Sequence, residues 1–287
     1  MQKLLDLSGK IDDLTVEALL DVANRAGFLK IPFFVVGAAA RDFILQYGYD
    51  IEINRATQDL DIGVQVIDWK HFEKLVGGLI ATGKFAKGEA AQRLIYKSRL
   101  PIDIIPFGPI ADPDNLIKWP PGREIEMSTL GFRESYKHST WGQLKSNPSV
   151  KIRFASLCGL TAMKLISWNE KYPERTSDAR DLELITRNYI EAGNMERVYD
   201  GKEADISEDE NFDYELASAR LLGRDLASIL NPVTKEKILK IFKKETGEQT
   251  RYRLVEDMRR GYPHFRNDFE EKLNLLEALK KGFSERY

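Results

Sequence analysis

The feature that most constrains this chain is a change of pattern part-way along it. From residue 11 to about residue 150, short apolar runs alternate with helical patterns; from residue 156 onward the periodicity is helical almost throughout. Apolar runs of strand length cannot bury themselves without a sheet, and amphipathic helices need other helices or a sheet to cover their apolar stripe. The chain is therefore expected to be α+β, with a mixed β-sheet and flanking helices over residues 1–150 and an all-helical domain over residues 151–287. Its 287 residues suffice for two such cores.

Within the first part, residues 14–26 have helical spacing, and Ile31-Pro32-Phe33-Phe34-Val35-Val36 reads as a buried strand running through Gly37 into a helix over 38–47. Residues 60–66 form the next strand, and Asp68 is placed to cap a helix over 68–80. Strands over 93–97 and 101–107 follow, separated by a short turn. A proline-rich loop then precedes strands near Ile125 and Phe132. In the second part, helices are expected over 156–171, 177–189, 214–230, 235–244, 251–260 and 269–283. The acidic run at 203–210 between them reads as a solvated linker.

Composition removes several classes of function. The formal net charge of −2 gives no global field to attract nucleic acid or an anionic membrane. Cys158 is the single cysteine, which excludes intrachain disulfides and multi-cysteine zinc sites, and His71, His138 and His264 share no metal-ligand spacing. The start lacks the apolar region of a signal peptide, and no uncharged apolar run reaches membrane-spanning length, so a soluble cytoplasmic protein is expected.

Three segments carry chemistry. In Val35-Val36-Gly37-Ala38-Ala39-Ala40-Arg41-Asp42 a strand enters a helix through glycine and small residues. A ligand can approach that backbone closely, and the free N–H groups of a helix start favour phosphate, although such turns also serve purely as connections. In Thr57-Gln58-Asp59-Leu60-Asp61-Ile62-Gly63-Val64, the period of two puts Asp59 and Asp61 on one face and Leu60, Ile62 and Val64 on the other. Neighbouring carboxylates repel unless a cation or proton intervenes, so the pair is either a hard-cation site or a solvated strand edge. In Leu100-Pro101-Ile102-Asp103-Ile104-Ile105-Pro106-Phe107, Asp103 stands alone in an apolar strand, which is costly unless it is paired or ligates a metal. If the two strands are neighbours, Asp59, Asp61 and Asp103 form a cluster able to hold two Mg²⁺ ions roughly 3.5–4 Å apart.

Together, Gly37-Ala38-Ala39-Ala40-Arg41-Asp42, Asp59-Leu60-Asp61 and Asp103 resemble the nucleotidyltransferase superfamily of DNA polymerase beta type. Lys164-Leu165-Ile166-Ser167-Trp168 and Arg175-Thr176-Ser177-Asp178-Ala179-Arg180-Asp181-Leu182 resemble the Lys…Arg-x-x-Asp-x-x-Asp-Leu element of the AbiEii/AbiGii toxin family. The resemblance spans residues 30–190. It implies a nucleotidyltransferase-like first domain that moves NMP from an NTP to an acceptor hydroxyl with two Mg²⁺ ions. It further implies a toxin-like role, an RNA acceptor such as tRNA, and an antitoxin partner. Asp59, Asp61 and Asp103 would be catalytic and metal-binding. Gly37, Ala38, Arg41, Lys164 and Asp178 would meet the nucleotide, Lys164 at the triphosphate with Asp178 orienting it. Two positions depart from the pattern: Ala38 stands where the family turn carries Gly or Ser, leaving backbone N–H donors, and Ser177 where it often carries Lys.

The residues by themselves leave other readings open. Lys164 and Asp178 each fall on an apolar helical stripe, which also suits an ion pair between packed helices. Trp168 serves either as core or as a base-stacking surface, and Arg41 and Arg55 either as phosphate contacts or as partners of Asp42 and Glu52. Lys235, Lys237, Lys240, Lys243, Lys244, Arg251, Arg253, Arg259 and Arg260 make either an RNA-binding stretch or, diluted by Glu236, Glu245, Glu248, Glu256 and Asp257, a solvated face. The acceptor is alternatively a small molecule or a protein hydroxyl, and a non-catalytic nucleotide- or partner-binding chain is the remaining alternative.

Overall fold

The chain divides into two compact units, Met1–Ser156 and Leu157–Tyr287, in a computed structural model that describes residues 4–53, 57–199, 201–209, 212–247, 251–260 and 268–287. The first unit runs β1 (Leu5–Asp6), α1 (Asp13–Leu29), β2 (Phe33–Val36), α2 (Gly37–Tyr49), β3 (Leu60–Gln65), α3 (Trp69–Ile80), β4 (Phe85–Lys87), β5 (Arg93–Tyr96) and β6 (Leu100–Phe107). It continues with β7 (Leu116–Lys118), β8 (Glu126–Ser128), α4 (Phe132–Lys137), β9 (Thr140–Ser146) and β10 (Ser149–Phe154). The second unit is α5 (Leu157–Glu170), α6 (Thr176–Asn188), α7 (Met195–Tyr199), a 3₁₀ turn Ala204–Ile206, α8 (Tyr214–Ile229), α9 (Pro232–Glu245), α10 (Arg253–Arg259) and α11 (Phe269–Glu285). The chain is thus α+β, a mixed sheet with helices followed by a helical region.

Among the described residues, eight strands form one sheet in the order β1-β9-β10-β2-β3-β6-β5-β4. The centre is mixed: β2 and β3 are antiparallel, β3 and β6 parallel, and β6 and β5 antiparallel. Capping defines the helix starts. Asp12 accepts a hydrogen bond from the Thr15 backbone N–H (2.9 Å) at α1, and Asp68 accepts one from His71 (2.7 Å) at α3.

Register explains the two faces of this sheet. Directly paired residues share a face, and the pairs Phe34↔Gly63, Val36↔Asp61, Asp61↔Asp103 and Arg93↔Asp103 put these side chains on the same one. One end of that face is aromatic. Phe34 packs edge-on to Phe107, Phe132 and Tyr136 with ring centroids 5.5–6.4 Å apart, over the space left by Gly63. The other end is polar and carries Asp61, Asp103 and Arg93. On the opposite face Leu60, Ile62, Val64, Ile102 and Ile104 are buried.

Two expectations need correction. The strand expected near Phe132 is a helix, because Phe132 and Tyr136, four apart, cover Phe34 and Phe107 together. The acidic run at 203–209 is not a solvated linker: Glu203 and Asp205 bind the guanidinium of Arg224 on α8, which is largely buried and also holds Glu285. A buried cation needs carboxylates, and this segment supplies them. Glu210 lies outside the described residues. No helix among the described residues is long and apolar enough to cross a membrane.

Candidate functional site

The polar end of the sheet is built around Gly37. Its φ of +66° is the left-handed conformation that favours glycine, and it lets β2 turn directly into α2. Any Cβ there would fall on the Asp61 carboxylate, 2.9 Å from Asp61 Cγ and closer still to Oδ2. The missing side chain is therefore the space that Asp61 occupies. Its carboxylate sits against the first residues of α2, where the helix dipole favours negative charge. We expect Gly37→Ala to cost about 1–3 kcal/mol in left-handed strain alone and to push Asp61 from its place; unchanged thermal unfolding in that variant would contradict this packing.

Asp61 and Asp103 face each other across neighbouring parallel strands. Asp59, just before β3, is less covered, with 43% of its side-chain surface exposed. The expected three-carboxylate cluster is not closed: among the described residues no three His, Cys, Asp or Glu side chains gather closely enough to hold a metal. The reason is a cation that sequence reasoning passed over. Arg93 donates from Nε to Asp103 Oδ1 (2.7 Å), from Nη2 to Asp103 Oδ2 (2.9 Å) and from Nη2 to Asp59 Oδ2 (3.5 Å). The hydrogen bonds it donates to Asp103 raise the Arg93 pKa above its ordinary value; burial opposes this, and the charges of Asp103, Asp59 and Asp61 add to it. The signal was present in the hairpin: a tight turn at Lys97-Ser98-Arg99 pairs Tyr96 with Leu100 and so brings Arg93 opposite Asp103.

In donor type the site fits a hard divalent cation, since all three acids are oxygen ligands and two are in register. A cation there must take the oxygens that Arg93 now holds.

Behind the turn, Arg41 and Asp42 are buried and paired, with Arg41 Nε donating to Asp42 Oδ1 (2.7 Å). Thr57 Oγ1 donates to Asp42 Oδ2, tying the approach to β3 onto α2. Arg55 lies outside the described residues. Beside these groups opens a cavity of about 460 Å³, lined among others by Asp12, Thr15, Asp42, Tyr47, Thr57 and Asp59. Among the described residues lining it are three carboxylates and no lysine or arginine.

Lys164 and Asp178 belong to the helical unit, where the structure brings them together. α5 is buried on nearly every side and packs on α6, α8 and α9. Lys164 Nζ donates to Asp178 Oδ1 (3.1 Å) and to Asp181 Oδ2 (2.5 Å), with all three side chains at most 8% exposed. Burial pushes the ammonium down, but Asp178 and Asp181 outweigh it and hold it above the ordinary lysine value. Lys164 therefore stays charged near neutrality and has no role as a base. Trp168 is fully buried and donates to Asp257 Oδ2 (2.9 Å), so it serves the core. The basic stretch is partly neutralised by its own acids: Lys240 pairs with Glu236, Arg253 with Glu245, Arg259 with Glu256 and Arg260 with Asp257. Glu248 and His264 lie outside the described residues. Cys158 is buried beside Tyr189, and burial together with Asp225 pushes its thiol up to about 12.

No family model and no curated protein matches the sequence. Among solved structures the chain is similar to ANT(2″)-Ia in complex with adenylyl-2″-tobramycin, at 13% identity over 64% of this chain and 98% of that one, with a TM-score of 0.37. It is similar to the apo form of a CCA-adding enzyme at 16% identity, over 89% of this chain and 66% of that one, with a TM-score of 0.31. The Thermotoga maritima CCA-adding enzyme complexed with tRNA is 13% identical, with 97% of this chain and 83% of that one covered and a TM-score of 0.27.

Proposed function

We propose that this chain is a nucleotidyltransferase that moves NMP from an NTP to an acceptor hydroxyl. The observation that carries the reading is Asp61 seated in the space left by Gly37, at the start of α2 and in register with Asp103. This joins a phosphate-binding turn to a carboxylate pair, which is what phosphoryl-type displacement requires. The backbone N–H groups of Gly37 and Ala38 would hold the triphosphate, with Arg41 fixing the inner face of the same helix through Asp42. Asp59, Asp61 and Asp103 would hold Mg²⁺, which when bound supplies charge neutralisation at the phosphates. Asp103 would accept the proton of the acceptor hydroxyl; the acceptor oxygen then bonds to the α-phosphorus as the bond to the leaving pyrophosphate breaks. Positioning and charge supply most of the acceleration in such a reaction. Lys164 and Asp178 belong to this reading as nucleotide contacts by resemblance, as do a toxin-like role, an RNA acceptor such as tRNA and an antitoxin partner.

A second reading keeps the reaction and changes the acceptor to a small molecule. The cavity beside Asp59 favours it, because among its described lining residues no lysine or arginine is present to hold the phosphates of a polyanion. The two are separated by incubating the protein with Mg²⁺ and each α-labelled NTP in turn, with either total RNA or a small-molecule extract, beside Asp59→Ala/Asp61→Ala. Label on tRNA supports the first reading and label confined to the extract the second. Label in neither fraction removes transfer to both.

A further inference from the structure

Arg93 occupies the place where the proposed function needs a metal ion. Its fork grips both oxygens of Asp103 and reaches Asp59, so a divalent cation and this guanidinium compete for the same lone pairs. The competition is not a locked structural pair. About a third of the Arg93 side chain is exposed, against 11% for Asp103, so the arginine is the more accessible partner of the pair. Its stem lies over Gly88, where a Cβ would approach Arg93 Cγ to 2.6 Å, so glycine leaves room for the side chain. Without a cation in their midst, Asp59, Asp61 and Asp103 would concentrate negative charge at one end of the central strands.

Resting on the nucleotidyltransferase reading, we propose that Arg93 is an exchangeable counter-ion: it neutralises Asp59 and Asp103 in the metal-free protein and is displaced when a divalent cation binds. Arg93 is thus a positioning residue that sets how much free cation the site needs before it loads. The exchange is an ion-pair swap with no covalent step, and its reciprocal consequence is that bound cation loosens Arg93.

The test is Mn²⁺ binding by titration calorimetry to the full chain, comparing the wild type with Arg93→Gln and Arg93→Lys, and with Asp103→Asn as a control for the site. Removing a neighbouring charge shifts such an equilibrium by about one to three log units, so Arg93→Gln is expected to bind Mn²⁺ about tenfold or more tightly. Arg93→Lys, which keeps the charge but loses the fork, should fall between, and it carries the test if Arg93→Gln does not fold. Thermal unfolding adds a second readout: with chelator Arg93→Gln should melt below the wild type, and saturating Mn²⁺ should raise it by more than it raises the wild type. If the wild type binds Mn²⁺ and neither variant binds it more tightly, the exchange is overturned while the metal assignment stands. If none of the proteins binds Mn²⁺, both fall together.

Discussion

Replacing Asp61 with asparagine is expected to cost NMP transfer on the order of 10³-fold, the size of effect seen when one preorganised electrostatic contact at developing charge is removed. Of the three acids, Asp61 is held most completely by the backbone. It pairs with Val36 on one side and Asp103 on the other, and its carboxylate fills the space that Gly37 leaves. Asparagine keeps that shape and loses only the charge. The structural cost should stay within about 1 kcal/mol, because the favourable interaction with the start of α2 is worth about 0.3–1 kcal/mol and repulsion from the neighbouring acids is relieved. Activity and stability thus separate in this variant. Full activity would show that Asp61 is only a strand-edge acid, and a large drop in melting temperature would show that the charge serves the fold.

Lys164→Met is expected to do the reverse and strike stability first. The substitution leaves Asp178 and Asp181 buried without their shared ammonium, and removing one partner from a buried pair typically costs about 3–5 kcal/mol. Arg175 still reaches Asp178 at 3.2 Å from a more exposed position, so Asp181 bears most of the loss. The fall in melting temperature should be about 6–20 °C if each kcal/mol moves the midpoint by about 2–4 °C. Restoring neutrality with Asp181→Asn in the same chain should recover part of it. The pH dependence has a definite sign. The folded-state value of Lys164 is raised, so the contribution is full below the ordinary lysine value of 10.5 and fades only as pH rises through the raised one. A melting temperature unmoved by Lys164→Met would contradict the triad as a structural element and leave Lys164 free for the nucleotide contact implied by its resemblance.

These two sites show what a sequence of this kind discloses. Parity along a strand is local, so the shared face of Asp59 and Asp61 and the isolation of Asp103 were legible without a fold. Their adjacency depended on β3 and β6 being neighbours, which an apolar pattern suggests but does not establish. Arg93 was legible in principle from hairpin arithmetic, yet a lone arginine at the start of a short strand looks like any exposed residue until its register is known. Helical spacing singled out Lys164 and Asp178. Asp181 stood in the quoted element without a partner assigned to it, and its bond to Lys164 became visible only once the two helices were packed. Phe132 read as a strand because aromatic residues favour strands, and tertiary contacts with Phe34 and Phe107 decided otherwise. Arg224, the shared partner of Glu203 and Asp205, lies on α8, too distant in sequence for any local pattern to reveal.

Transfer of a nucleotidyl group at Asp59, Asp61 and Asp103 is decided by which phosphorus reaches the acceptor. The protein is incubated with Mg²⁺ and acceptor fractions, once with α-labelled and once with γ-labelled NTP, beside Asp61→Asn. The expected result is that α-label becomes attached to an acceptor, that γ-label leaves as pyrophosphate, and that Asp61→Asn does neither. Attachment of γ-label, or α-label transfer undiminished in Asp61→Asn, would contradict it.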